Sequence, residues 1–340
     1  MANVQEARRV AEESREKVWR GQSFMRDVFL GNFRIDLLER LTLDDPERPE
    51  FWQFHRKVDE FFRDQVDSAQ IDATGEYPPE VGRGLAELGA FGMKIPKKYG
   101  GLGLTHPEYV RILELLGSYD ANVAALLSAH QAIGVPQPVK LFGTEEQKQR
   151  YLPRCAKGAI SAFALTELSA GSDPARLGTT AALSEDGEHY VLNGQKLWCT
   201  NVTLAELIVV MARNPATKRI NCFVVEMDWP GVTVDHRCHF MGLRALANGV
   251  VSFDNVKVPK ENLIGKDGDG LKIALVTHNT GRLSLPAGTS GAAKRFVEVV
   301  RKWSNAREQW GVPVGKHEAI AHKNAYILSS AFAMESIAYV

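Results

Sequence analysis

The chain has 340 residues, of which 44% are hydrophobic and 24% charged, and its 41 Lys and Arg residues balance 41 Asp and Glu residues. This length exceeds the usual size of a single hydrophobic core, so we expect two or three domains. The formal charge of zero argues against a nucleic-acid-binding protein, because such proteins normally carry an excess of basic residues on one face.

The sequence also bears on the compartment. No run of about 18 apolar residues occurs, so we expect no membrane-spanning helix. The first twenty residues contain four glutamates and lack an apolar centre, unlike a secretory signal or a mitochondrial presequence. Cys155, Cys199, Cys222 and Cys238 form no C-x-x-C pair and are predicted to be reduced core thiols. We therefore expect a soluble cytoplasmic protein, with peripheral membrane association left open.

The nearest approach to a metal-binding cluster is the run His236-Arg237-Cys238-His239. On a strand, neighbouring side chains point to opposite faces, so Cys238 would point away from both histidines. We therefore predict no metal site.

The first part of the chain is predicted to be helical. Residues 1–50 form an extension, with a charged helix and then an apolar patch at 24–31 that would pack on the main body or on a partner subunit. Residues 51–158 form an N-terminal α-helical domain, because apolar residues recur there with the helical period. His130 lies on an apolar helix and is predicted to be a hydrogen-bonded core histidine rather than a catalyst.

Between residues 159 and 264 the apolar period changes to two. The runs 208–211, 222–225 and 250–253 are rich in β-branched and aromatic residues and are separated by turn residues. This spacing predicts a small antiparallel β sandwich or barrel. Helical patterns return in residues 265–340, so the predicted class is α+β, with a central β domain between two helical ones.

Two segments of the β domain are candidates for a ligand site. The run 163–173 is apolar for three residues and then turns small and polar, as a strand does when its end meets a ligand. Gly171 lets the backbone come close to a bound molecule, so that amides and the hydroxyls of Thr166, Ser169 and Ser172 can reach it.

The second segment is predicted to follow a hairpin closed by Asn193-Gly194. It places Trp198 two residues before the hydroxyl of Thr200. A flavin needs both groups, because an aromatic ring covers one face and a donor holds the redox nitrogen.

Together, the A-L-T-E-L-S-A-G-S-D run at 164–173 and the W-C-T-N run at 198–201 closely resemble the two flavin-contacting segments of the acyl-CoA dehydrogenase family. The chain departs from the family at Leu168, where Pro is usual, and at Cys199, where Ile is common; neither side chain supplies the chemistry. The resemblance extends from about residue 52 to the end and is greatest to the very-long-chain branch. It implies FAD-dependent α,β-desaturation of an acyl-CoA, transfer of electrons to a carrier such as electron-transfer flavoprotein, and a homo-oligomer, either dimer or tetramer.

The resemblance also implies roles for individual residues. Trp198 covers a flavin face, Thr200 bonds the redox nitrogen, and Ser172 touches both the cofactor and the CoA thioester arm. Residues 307–311 match an R-x-Q-F-G motif whose arginine meets the flavin pyrophosphate of a neighbouring subunit. The implied FAD contacts are Phe163, Leu165, Thr166, Gly171, Ser172, Trp198, Cys199, Thr200, Arg307, Gln309 and Trp310. The implied substrate contacts are Ser172, Asn279, Thr280 and Arg282.

The catalytic base is not identified in the sequence. Desaturation needs a carboxylate that takes the α-proton while the β-hydride leaves for the flavin. The resemblance places that glutamate beyond Val340 in most members, which implies an incomplete C-terminal helical domain, and just before Arg282 in a minority. Here that second position is Gly281, whose presence within a helix indicates a close approach by another group. Glu335 is expected to be paired or to face solvent.

Two alternatives to the dehydrogenase stay open. One is an acyl-CoA oxidase, which differs in oxygen access. The other is a non-catalytic acyl-CoA-dehydrogenase-like module for binding or assembly, which the missing base favours. Glu318 stands where many members have Gln and puts one cofactor contact in question.

Overall fold

The computed structural model describes residues 24–38 and 48–339, which form two compact units. The first unit contains residues 67–104 and 125–281, and the second contains the described residues of 18–66, 105–124 and 282–340. The charged helix predicted near the start of the extension lies outside the described residues. Among the described helices, none is both long enough and apolar enough to span a bilayer.

Helices precede and follow a central sheet, which confirms the predicted α+β class and the order of helical, β and helical parts. The helices are α1 Phe24–Phe29, α2 Ile35–Leu38, α3 Pro49–Gln65, α4 Ser68–Thr74, α5 Pro79–Glu87, α6 His106–Tyr119, α7 Ala121–Ala132, α8 Pro136–Phe142, α9 Glu145–Ala156, α10 Gly270–Ala306 and α11 Glu318–Tyr339. The strands are β1 Ser161–Ala164, β2 Thr180–Leu183, β3 His189–Cys199, β4 Leu207–Arg213, β5 Ile220–Glu226, β6 Val232–Arg237, β7 Gly249–Pro259, β8 Glu308–Gln309 and β9 Val312–Pro313.

The first seven strands form one sheet in the order β1-β4-β2-β3-β7-β6, with β5 paired to β4. The three predicted strand runs lie in β4, β5 and β7. The sheet is mostly antiparallel, as predicted, but β1 pairs with β4 in parallel. β4 also pairs in parallel with β2, at Thr180 and Arg213.

The prediction that Asn193-Gly194 closes a hairpin is wrong, because the pair lies inside β3. The β2–β3 turn is at Ser184 to Glu188, where the Gly187 amide donates to the Ser184 carbonyl at 3.0 Å. Gly194 instead marks a register shift against β7, and a Cβ at this position would lie 2.7 Å from Thr179 Cα. The pair therefore lies opposite a β-bulge of β7 and makes a close backbone contact.

Alternation along β4 divides the core of the first unit between the two faces of the sheet. Leu207, Val209 and Met211 join a cluster that includes buried residues of α8, α9 and the start of α10. Ile208 and Val210 point to the other face and join residues of β3, β5 and β7. Because both faces are covered, β4 and β5 are buried along nearly their whole lengths.

In the second unit, α3 buries the face that its periodicity predicts, with Phe51, Phe54, Val58, Phe61 and Phe62 all buried. Helices α6 and α10 meet closely at glycines: a Cβ on Gly117 would lie 2.1 Å from the Gly288 carbonyl oxygen, and one on Gly291 would lie 1.8 Å from that of Glu114. These contacts leave no room for larger side chains at Gly117 and Gly291.

Candidate functional site

The two segments singled out in the sequence lie side by side in the first unit. The Leu197 amide donates to the Thr166 carbonyl at 2.8 Å, which joins the end of β1 to the end of β3. Phe163 in β1 is buried, and its ring meets that of His278 edge to face, with centroids 4.9 Å apart. Leu165 and Thr166 follow β1 and are half-buried. The structure therefore brings the two segments together.

A buried ion pair holds the turn after β1. Glu167 Oε1 lies 2.7 Å from the ammonium of Lys196, whose side chain is fully buried in β3. The amides of Gly178 and Thr179 donate to the Glu167 carboxylate at 2.5 and 3.0 Å. Lys196 also donates to the Leu165 carbonyl at 3.2 Å. These contacts fix the turn on the strand that carries Trp198.

The electrostatics of the pair favour the charged carboxylate. Burial alone would raise the pKa of Glu167, but the charge and hydrogen bond of Lys196, together with the Thr179 and Gly178 donors, hold that pKa below its ordinary value. Glu167 is thus engaged as a structural anion. Lys196 is not among the residues predicted from the sequence, although a signal is present: Tyr190, Leu192 and Lys196 all occupy inward positions of the period-two pattern.

Beyond Lys196 the strand bulges, and this bulge turns Trp198 outward. The pairing of β3 with β7 shifts register between Lys196 and Cys199. Trp198 has φ of 58°, a left-handed conformation that costs a bulky residue about 1–2 kcal/mol. The residue is 52% exposed, and its ring lies beside that of Phe240, with centroids 5.6 Å apart. The fold thus holds a large aromatic ring at the surface in a strained conformation.

Thr200 and Asn201 follow the bulge and are held by buried amides. Asn248 Nδ2 donates to Thr200 Oγ1 at 3.0 Å. Asn201, fully buried and also at positive φ, donates to the carbonyls of Leu126 and Ser161 at 3.0 and 3.3 Å. Cys199 points into the core, where burial raises the pKa of its thiol to about 12. The Asn248 contact has no counterpart in the sequence analysis.

The turn around Gly171 is exposed. Gly171 and Ser172 both lie at the surface, and a Cβ on Gly171 would meet no atom of the described chain within 4 Å. Packing within the described residues therefore does not require glycine at this position.

The predicted substrate window, residues 279–282, lies in α10, as expected. Gln137 Nε2 donates to Thr280 Oγ1 at 2.9 Å within the first unit. A Cβ on Gly281 would lie 3.1 Å from Ile133 Cγ2, so the predicted close approach is confirmed, with a protein side chain as the neighbour. Asn279 lies in the same helix of the first unit.

Arg282 belongs to the second unit. It lines a cavity of about 360 Å³ together with apolar side chains of α10 and α11. The other lining residues are Leu285, Pro286, Thr289, Met334 and Ile337. Arg282 is thus placed beside an apolar cavity rather than on a polar surface.

The R-E-Q-W-G run forms a small β8–β9 hairpin in the second unit. Trp310 is 92% exposed at the tip, and its ring meets His317 edge to face, with centroids 5.4 Å apart. Arg307 and Gln309 are also exposed. Glu318 is exposed at the start of α11. The hairpin therefore presents a cation and an aromatic ring at the surface of its unit.

Glu335, expected to be paired or to face solvent, is paired. Its Oε1 lies 2.6 Å from Lys294 and 3.4 Å from Arg111. Glu114 joins the same network, accepting from Ser290 and lying 2.8 Å from Lys294. Glu335 is therefore committed to a charge network of the helical unit.

His130 is a hydrogen-bonded core histidine, as predicted. It is fully buried, its Nε2 donates to the Phe91 carbonyl at 3.2 Å, and its Nδ1 accepts from the Ser161 amide at 3.1 Å. Burial lowers the pKa of His130 to about 4. The four cysteines are free and buried, which confirms the predicted core thiols.

Comparison with known proteins gives matches along most of the chain. Family models match residues 48–159 as acyl-CoA dehydrogenase, N-terminal domain; residues 162–256 as the middle domain; and residues 268–339 as the C-terminal domain. The probable acyl-CoA dehydrogenase FadE10 of Mycobacterium tuberculosis is 50% identical over 338 residues, which cover 98% of this chain and 52% of that protein.

Two further comparisons extend this result. The mitochondrial very long-chain specific acyl-CoA dehydrogenase of Mus musculus is 36% identical, over 96% of this chain and 52% of that protein. The crystal structure of an acyl-CoA dehydrogenase complexed with FAD from Bacillus anthracis aligns with a TM-score of 0.79 at 34% identity, over 89% of this chain and 54% of that chain. The chain spans about half the length of the curated relatives it matches.

Proposed function

The chain belongs to the acyl-CoA dehydrogenase family, and we propose that it serves an FAD-dependent enzyme that introduces an α,β double bond into a fatty acyl-CoA. The observation that carries this proposal is the junction of the two segments through Thr166 and Leu197, with Trp198 turned outward beside it. The strained backbone of Trp198 costs free energy, and contact of its exposed ring with a flat ligand ring is an interaction that offsets such a cost.

The residues present fit a flavin. Trp198 offers a partly exposed aromatic ring, Thr200 offers a hydroxyl proton, and Gly171 leaves open space at the surface. Buried groups of this site that carry charge are already paired, since Glu167 is neutralised by Lys196. The site therefore has unused donors and an unused ring face, which are what an isoalloxazine ring and a phosphate chain require.

In this proposal the chain binds and orients the reactants. Phe163, Leu165 and Thr166 shape the floor under the ring, with Cys199 packed behind it, and Trp198 covers one face of the ring. Ser172 touches the cofactor and the thioester arm, and Asn279, Thr280 and Arg282 contact the acyl-CoA. FAD, when bound, would supply the acceptor for the β-hydride of the substrate, and a carrier such as electron-transfer flavoprotein would take up the electrons.

The base that takes the α-proton is proposed to come from outside the residues described here. Gly281 has no carboxylate, while Glu167 and Glu335 are held in ion pairs. An acyl-CoA oxidase and a non-catalytic binding or assembly module are the alternatives. Reduction of the flavin by acyl-CoA rejects the module, and rapid reoxidation of that flavin by oxygen identifies an oxidase.

We also propose a homo-oligomer, because Arg307, Gln309 and Trp310 form an exposed hairpin that can reach the cofactor of another subunit. Light scattering of the flavin-loaded protein tests this proposal. A dimer or larger assembly is expected, and a monomer that retains tightly bound FAD contradicts the shared site.

Cofactor uptake tests the flavin site directly. Purified protein should be yellow, and Trp198→Ala should weaken FAD binding about 2- to 10-fold, because aromatic stacking contributes about 0.5–1.5 kcal/mol. Reconstitution of stripped protein with FAD, followed by fluorescence, measures the dissociation constant. Leu183→Ala, an exposed apolar position at the far end of the β2–β3 hairpin, is the control and should bind normally. A colourless protein that takes up no FAD contradicts the proposal.

A further inference from the structure

The ends of β3 and β7 bring Asn248 and Thr200 together. Cys199 pairs with Gly249 across the two strands, so the next residues outward, Thr200 and Asn248, face each other. Asn248 is 3% exposed, and its backbone is held by a hydrogen bond to Leu246 at 2.7 Å and by another from Cys238 at 2.8 Å. In the side chain of Asn248, Nδ2 has Thr200 as its partner, while Oδ1 is buried without a hydrogen-bond partner among the described residues.

The direction of the hydrogen bond between Asn248 and Thr200 determines which acceptor the Thr200 hydroxyl proton can reach. Asn248 donates through Nδ2 to Thr200 Oγ1 at 3.0 Å. A hydroxyl has one proton, and an oxygen that accepts from an amide keeps that proton for another acceptor. Within the described part of the chain, no protein acceptor takes the Thr200 proton, so the proton is left for a group outside the protein.

We propose that Asn248 is a positioning residue that orients the Thr200 hydroxyl as an outward donor to the redox nitrogen of bound flavin. This inference rests on the flavin site proposed above. Asn248 itself does not touch the cofactor; it acts by occupying the Thr200 oxygen. A residue that accepts a proton at position 248 would reverse the arrangement, because Thr200 would then donate inward.

Asn248→Asp makes that reversal with almost no change in size. In flavin-loaded protein it should lower the midpoint potential of the flavin and weaken FAD binding about 3- to 10-fold, the usual range for one lost hydrogen bond. Asn255→Asp places the same charge on an exposed position of β7 and is the matched control. The control should leave both quantities unchanged.

A double-mutant comparison separates action through Thr200 from a direct effect of charge. In a Thr200→Val background, Asn248→Asp should change the potential and the dissociation constant no more than Asn255→Asp does. If Asn248→Asp has its full effect without the Thr200 hydroxyl, or no effect with it, the inference is wrong. Wild-type protein that binds no FAD would instead overturn the proposed function.

Asn248→Ala keeps the test usable if the buried carboxylate prevents folding. This variant removes the donor, so FAD binding should weaken in the wild-type background and not in Thr200→Val. Equal weakening in both backgrounds would contradict a role through Thr200.

Discussion

The ammonium of Lys196, at the residue scale, links the two parts of the candidate site. Its partner Glu167 lies in the turn that leads to Gly171 and Ser172, while Lys196 itself lies two residues before Trp198. Removing two charges from water is costly, and their attraction offsets that cost only with good geometry and further hydrogen bonds. Here the Gly178 and Thr179 amides supply those bonds. The pair therefore fixes one site segment on the other.

Glu167→Gln should lower the free energy of unfolding by about 3–5 kcal/mol, because it leaves the Lys196 charge buried without a partner. Urea denaturation measures this. Glu167→Gln combined with Lys196→Met should recover much of the loss, whereas Glu185→Gln, at an exposed position, should change stability by less than about 0.5 kcal/mol. Unchanged stability of Glu167→Gln would show that the pair is not buried as described.

His130 predicts how stability depends on pH. Its folded pKa of about 4 lies below the ordinary value of 6.5, so between these values the unfolded chain binds a proton that the folded chain does not. The free energy of unfolding should therefore fall as pH falls through this window, by up to about 1.4 kcal/mol per pH unit from this group.

Denaturation of wild type and His130→Gln at a series of pH values isolates that contribution. The variant should show a shallower slope between pH 6.5 and pH 4. His236→Gln, at an exposed position, should keep the wild-type slope. A slope that is the same in His130→Gln and wild type would contradict a buried neutral imidazole. The lowered pKa of Glu167 acts in the same direction at more acid pH, since its stabilising charge is lost there.

At the scale of elements, the sequence predicts the apolar faces and the strand runs better than it predicts which strands pair. The apolar face of α3 and the strand runs in β4, β5 and β7 follow from local patterns. The parallel pairing of β1 with β4 does not, because no local pattern specifies which strand lies alongside another. The prediction that Asn193-Gly194 closes a hairpin is wrong for a related reason. An Asn-Gly pair suits both a tight turn and a bulged region of a sheet, and only the partner strand determines which of the two forms.

The crossing of α6 and α10 gives a test with a matched control within one helix. Gly291→Ala should destabilise the protein by about 1–3 kcal/mol, because the new methyl group meets the Glu114 backbone. Gly288→Ala meets no atom within 4 Å and should stabilise α10 by up to about 1 kcal/mol through helix propensity. Thermal or urea unfolding of both variants measures the difference. Equal effects would show that the two helices do not approach at Gly291.

At the scale of the whole molecule, the family can be recognised from the sequence, whereas the residues that hold the candidate site in place cannot. The motifs at 164–173 and 198–201 are contiguous, so their resemblance to the family is visible in the sequence alone. Lys196 and Asn248 act through partners far away in sequence, so their roles become visible only when β3 is placed against the β1 turn and β7. Glu335 is an intermediate case, because its apolar surroundings indicate a partner without identifying Lys294.

The most direct test of the proposed activity is anaerobic titration with saturated acyl-CoAs of several chain lengths, using flavin-loaded protein extended to the length of its curated relatives. Bleaching of the oxidised flavin absorption by at least one acyl-CoA, with formation of the 2-enoyl-CoA, is the predicted result. A flavin that stays oxidised with every acyl-CoA, yet is reduced by dithionite, would contradict an acyl-CoA dehydrogenase.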